Sequence, residues 1–178
     1  MKAVVRTLIV LTVMISGCSK PPAEEYIKKA EEAEKGGLWS VALENYQNLV
    51  KDHPGSVLAE KALFSIAALQ HNSLQNFQAA VDGYKRYLEV YPEGAKAPVA
   101  LFLTGFLYNN ELKNLDSARV YYQHFLTKYP SNDMATSAQF ELQNLGKSPD
   151  ELLPKPEPVA ETTPTKSSKK TVKPSKKN

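Results

Sequence analysis

The stretch Phe77-Gln78-Ala79-Ala80-Val81-Asp82-Gly83-Tyr84, closed eight residues later by Pro92, occurs three times in outline. Shifted by 38 residues toward the N-terminus, Phe77, Ala80, Tyr84 and Pro92 become Trp39, Ala42, Tyr46 and Pro54; shifted as far the other way they become Leu115, Ala118, Tyr122 and Pro130. Large apolar, small and aromatic residues spaced by three and four lie on one face of a helix, and the proline ends it. A unit of this length cannot bury its apolar face alone. Successive copies must stack into a solenoid, whose extended surface suits binding rather than catalysis.

Outward from that core the same plan repeats. From Pro21 to Lys35 the apolar residues Tyr26, Ile27, Ala30 and Ala33 recur at helical spacing, and Gly36-Gly37 stops the run. Trp39 to Asp52 completes a helical hairpin. Ser56 is the expected N-cap of the next helix, through Ala59, Ala62, Leu63, Ile66, Ala67 and Leu69. The third unit places Ala97, Ala100, Leu101, Thr104, Gly105 and Leu107 at matching positions, and the outer helices run from Phe77 to Val90 and from Leu115 to Lys128. Met134 to Leu145 matches only the first half of a unit and is otherwise polar, so it reads as a solvating cap ended by Gly146. The expected fold is all-α: three helical hairpins over 22–56, 57–94 and 95–132 plus a capping helix in 133–147. Ala42, Ala80 and Ala118 are expected to let paired helices approach closely, and Tyr46, Tyr84 and Tyr122 to fill the space between hairpins.

Aromatic, alanine, aromatic and proline at positions such as Phe77, Ala80, Tyr84 and Pro92 resemble the tetratricopeptide repeat, though at a period of 38 residues. Units ending as Glu89-Val90-Tyr91-Pro92 and Thr127-Lys128-Tyr129-Pro130 are similar to those of exported bacterial envelope proteins. The resemblance implies a tetratricopeptide-like α-solenoid that works as a non-enzymatic protein–protein interaction scaffold. Two families share parts of the pattern: the BamD-type lipoproteins of outer-membrane β-barrel assembly, which have more repeats, and the periplasmic Tol-Pal partner.

The first 17 residues carry Lys2 and Arg6, then the apolar run from Leu8 to Ile15, then Ser16-Gly17. That run is shorter than the about 20 residues a bilayer-spanning helix needs, so it reads as a signal peptide over 1–17. The single cysteine, Cys18, follows at once. An exported scaffold with one unpaired thiol calls for an explanation. Ile15-Ser16-Gly17-Cys18 resembles the bacterial lipobox, which implies cleavage before Cys18, its acylation, and a lipidated linker over 18–21. Ser19 is not the Asp that holds such lipoproteins at the inner membrane, so the resemblance implies the outer membrane, periplasmic face.

Charge divides along the chain. The formal net charge is +3, from 22 Lys and Arg against 19 Asp and Glu, but the excess belongs to the signal and the tail. Beyond Leu153 the composition turns to Pro, Lys, Ser, Thr and Glu, and 148–178 is expected to be a disordered tail. Its lysines from Lys166 to Lys177 suit anionic lipid or cell-wall polymer, and equally suit a solvated linker; nucleic acid does not fit an exported protein.

In such arrays the first helix of each pair lines the concave face. Residues three before and four or five after Ala67 and Gly105 mark the expected groove: Phe64, His71 and Asn72, then Phe102, Asn109 and Asn110. Asparagines there can donate to peptide carbonyls while aromatics hold side chains, although each asparagine also reads as a solvated turn residue. Envelope proteins or peptides are the expected partners. His53, His71 and His124 show no metal-ligand spacing, and no paired cysteines, phosphate-cradling glycine loop or nucleophile elbow is present, so neither enzyme nor cofactor is expected. Alternatives to barrel assembly are another envelope scaffold, in Tol-Pal division or in pilus or secretion assembly, and a cell-wall structural lipoprotein binding through its tail.

Overall fold

The computed structural model describes residues 20–147 and 151. The expected signal peptide, Cys18 and nearly all of the expected tail lie outside them. The repeat unit ends at Gly146, and a second unit runs from residue 147 to 178. The helices are α1 Ala23–Lys35, α2 Trp39–Asp52, α3 Val57–Asn72, α4 Phe77–Val90, α5 Ala97–Asn110, α6 Leu115–Lys128 and α7 Ala135–Gln143. Each packs on its neighbours in sequence. Among the described residues no strand occurs, and no helix is long and apolar enough to cross a membrane.

The repeated positions build the core. Ala42, Ala80 and Ala118 are fully buried, and Tyr46, Tyr84 and Tyr122 are buried beside them. Burying a large side chain of this kind stabilises by about 1.5–3 kcal/mol, so the stack holds through these recurring contacts. The two helices of the second hairpin approach closely, since a Cβ added at Gly83 would stand 2.9 Å from the Ala67 Cβ. In the third hairpin Gly105 lies under the Tyr122 ring instead, which a Cβ would meet at 3.1 Å. Phe102 packs edge-on against Tyr122 and Phe125.

Local chemistry sets the helix ends. Ser56 Oγ accepts from the Leu58 amide at 3.2 Å, as an N-cap should. The turns between paired helices repeat one geometry, with Gly37, Gln75 and Lys113 all at positive φ. Asn76 and Asn114 follow, and their side chains cap α4 and α6 through the Ala79 and Ser117 amides. The cap helix α7 is shorter than the run from Met134 to Leu145, because Asn144 ends it and Gly146 turns the chain at φ 79°.

At the opposite edge the start of the chain is clamped. The Lys20 ammonium pairs with Asp52 at 2.8 Å, Tyr26 Oη donates to Asp52 at 2.9 Å, and His53 Nε2 lies 2.7 Å from the Pro21 carbonyl oxygen. Hydrogen bonds from Lys20 and Tyr26 hold the Asp52 carboxyl below its ordinary range.

Candidate functional site: a groove along the first helices

Helix α3 carries Val57, Lys61, Phe64 and Ser65 toward a cavity of about 340 Å³, closed on the far side by Ala95 and Lys96 before α5. Val57 is 88% exposed, as a first-turn residue with nothing packed over it. Phe64 forms the floor; its ring packs on Tyr84 and Tyr87 at centroid distances of 5.5 and 5.6 Å, and the Lys96 ammonium stands 6.0 Å above it. Lys61 pairs with Glu31 at 2.5 Å.

The wall of this cavity is a polar network. Tyr87 Oη donates to Glu60 Oε1 at 2.6 Å, the Ala95 amide donates to the same oxygen at 3.1 Å, and the Lys96 amide donates to Tyr87 Oη at 3.1 Å. Burial first, then the Glu60 hydrogen bond, pushes the Tyr87 hydroxyl up to about 12, so it stays a protonated donor. Gly94 makes room: a Cβ there would run into Tyr87 Oη and come within 2.6 Å of Glu60 Oε1. The arrangement offers an apolar floor with ammonium groups at its rim and fixed backbone around it. That is chemistry for holding a side chain.

The six residues expected from sequence separate into distinct environments. Phe64 lines the cavity, while Phe102 is half-buried against Tyr122 and Phe125. His71 stacks edge-on against Phe77, and its buried Nδ1 has no hydrogen-bond partner among the described residues. Burial lowers its pKa, with a smaller opposing effect from Glu111. Asn72 is exposed beside Trp39, in a shallow cleft at the turn edge. Asn109 is 7% exposed and spent on the cap: its Nδ2 donates to Glu141 Oε2 at 3.3 Å and its Oδ1 accepts from the Gly146 amide at 3.3 Å. Asn110 donates to the Phe106 carbonyl one turn back.

Sequence reading missed Val57 and Lys61, although they stand seven and three residues before Phe64 and so share its helix face. Ala95 and Lys96 had no such signal, since a loop brings them in. The second helices line a separate cavity of about 350 Å³ between α4 and α6, with Leu88 beside Val120 and Tyr121 and Leu101 contributed by α5. Among the described residues no three His, Cys, Asp or Glu side chains come together to hold a metal.

Residues 61–94 and 99–132 match the family model described as the tetratricopeptide repeat. Two tetratricopeptide repeats lie within residues 61–132. Solved structures support the fold. The TPR domain of Arabidopsis OM64 matches with a TM-score of 0.53 at 22% identity, covering 68% of this chain and 93% of that one. The TPR2B domain of yeast Sti1, solved as a pHsp70 complex, matches with a TM-score of 0.52 at 17% identity over the same shares. No curated protein matches the chain in sequence.

Proposed function

We propose that this protein is an outer-membrane lipoprotein, anchored through acylated Cys18 and facing the periplasm, whose repeats hold envelope proteins or peptides in service of β-barrel assembly. The observation that carries the scaffold role is the cavity at Phe64, with its open apolar floor, its rim of Lys61 and Lys96, and its wall fixed by the Glu60–Tyr87 network. A rigid groove of this kind binds without losing much of its own conformational freedom, which favours affinity for short segments. The Sti1 domain, of like fold, was solved as a pHsp70 complex, which supports a peptide or protein as occupant. The lipobox-like Ile15-Ser16-Gly17-Cys18 supports the anchor, since multiple acyl chains hold firmly where one does not.

A photo-crosslinking residue in place of Lys61, in living cells, tests the reading. Crosslinks to barrel-assembly subunits are the expected result; crosslinks to division, pilus or secretion subunits would replace that machine with another. Labelling with a palmitate analogue tests the anchor separately. The Cys18→Ser protein should not label.

A further inference from the structure

The clamp at the start of the repeat unit bears on how the unit meets a membrane. Lys20 is fixed to Asp52, and the Pro21 carbonyl to His53, at the C-terminal end of α2. Between Cys18 and Lys20 there is one residue, Ser19, so the reach from the cysteine to the clamp is at most about 7 Å. In a stack of antiparallel hairpins, the end of α2 shares its edge with the start of α3, the end of α4 and the start of α5. That edge presents Val57 at 88% exposure and Val90 at 53%. Both valines stand at helix ends, aimed away from the core. The opposite edge holds the turns at Gly37, Gln75 and Lys113, with Trp39, the single tryptophan, and the exposed Leu38 and Val41, so apolar exposure alone does not choose between the edges and the tether does.

We infer that the edge bearing Val57 and Val90 lies against the phospholipid bilayer, with the turns at Gly37, Gln75 and Lys113 pointing away from it. The assignment rests on acylation of Cys18. Acyl chains on that cysteine bring the clamp to the headgroups, and a tether this short leaves the unit little freedom to turn over. The helices then stand across the membrane plane, and the Phe64 groove opens close to the lipid surface.

The test uses the full acylated chain in vesicles of phosphatidylethanolamine and phosphatidylglycerol containing brominated lipid, which quenches tryptophan at short range. Native Trp39 reports the far edge, and Val57→Trp in a Trp39→Phe background reports the near one. Because helices of 14 residues separate the edges by about 20 Å, Val57→Trp should be quenched at least about twofold more than Trp39. Inserting a Gly-Ser linker of about six residues after Cys18 should bring that ratio near one. Equal quenching in an acylated chain, or stronger quenching of Trp39, overturns the edge assignment and leaves the anchor standing. A ratio that survives the insertion supports the edge and credits it to the valines' own contact with lipid rather than to the tether. Mass spectrometry of the N-terminal peptide separates the two cases: a chain without acyl groups at Cys18 removes the anchor, and the edge assignment falls with it.

Discussion

The junction between the second and third hairpins and the junction between the third hairpin and the cap solve one problem in two ways. At the cap, Asn132 Oδ1 accepts from the Met134 amide at 3.0 Å, just as Ser56 does for Leu58 at the first junction. The corresponding residue in the middle is Gly94, which has no side chain to offer. There the hydroxyl of Tyr87, reaching over from α4, accepts from the Lys96 amide instead. The residues that match Tyr87 in register are Leu49 and Phe125, neither with a hydroxyl. A local cap and a borrowed one satisfy the same amide, but only the borrowed one ties two hairpins together. It also recruits Glu60, where the third unit has Pro98.

The sharpest way to break this contrast is to add a methyl group. Gly94→Ala forces a Cβ into Tyr87 Oη and Glu60 Oε1, and overpacking of this kind should cost about 2–3 kcal/mol. Asn132→Ala removes only a local side-chain hydrogen bond in the turn before α7 and should cost about 0.5–1 kcal/mol. Urea unfolding of the two variants checks the order, and equal losses would mean that the borrowed cap carries no special weight.

The two solutions should also be interchangeable as a set. Tyr87→Phe leaves the Lys96 amide without its acceptor and should cost about 1–2 kcal/mol. Tyr87→Phe with Gly94→Asn supplies the local acceptor of the third unit and removes the hydroxyl that a Gly94 Cβ would strike, while Glu60 Oε1 stays within 2.6 Å of that Cβ. The double variant should therefore lose less than the sum of the single variants, with a coupling of about 2 kcal/mol in a double-mutant cycle. Additive losses would show that the pairs are not equivalent. Tyr84, three residues before Tyr87, supplies the opposite sign. Its buried hydroxyl has no partner among the described residues, and burial pushes its pKa up to about 12, so Tyr84→Phe should be neutral or stabilising.

A third difference lies at the far ends of the same first helices, where His71 and Asn109 occupy matching positions. Asn109 spends its amide on Glu141 and Gly146, whereas His71 buries Nδ1 without a partner. Burial depresses the folded-state pKa of His71 below its ordinary 6.5, so the unfolded chain binds more protons at acid pH. Its contribution is therefore complete above about pH 6.5 and falls away as pH drops through the depressed folded value. His71→Asn should flatten the pH dependence of the thermal midpoint in this window. Asp52 acts in a separate range, since its lowered pKa contributes above its ordinary 3.8 and is lost only in stronger acid.

These comparisons also mark what a reader of the sequence could see. The register of Ala42, Ala80 and Ala118 was legible because packing demands the same residue type at the same place in every unit, and so were the helices it defines. The Glu60–Tyr87–Gly94 network was not, because it exists at one junction only and a pattern seeks recurrence. Phe64 was found in the groove because its helix face follows from Ala67. Asn109 looked available to a partner because its engagement with Glu141 spans 32 residues and depends on how α7 folds back.

The turns offer the mildest test, and the one that separates backbone from packing. Gly37, Gln75 and Lys113 share one register position and one positive φ, at 70°, 51° and 54°, yet only the first is glycine. A side chain in the left-handed region costs backbone energy that glycine avoids. Conversely, Asn76 and Asn114 cap their helices, whereas the matching Leu38 offers no side-chain cap and is 59% exposed. Each turn therefore holds half of the best solution: the first has the glycine, the later two have the asparagine. Gln75→Gly and Lys113→Gly should each stabilise by about 0.5–1 kcal/mol, less the extra chain entropy that glycine brings to the unfolded state. Leu38→Asn should add about 1 kcal/mol by the complementary route. Thermal unfolding of each single variant measures these gains. A gain from Leu38→Asn with none from the glycines would mean that the neighbouring Leu74 and Leu112 amides, bonded back to Leu69 and Leu107, already stabilise the left-handed residues that follow them.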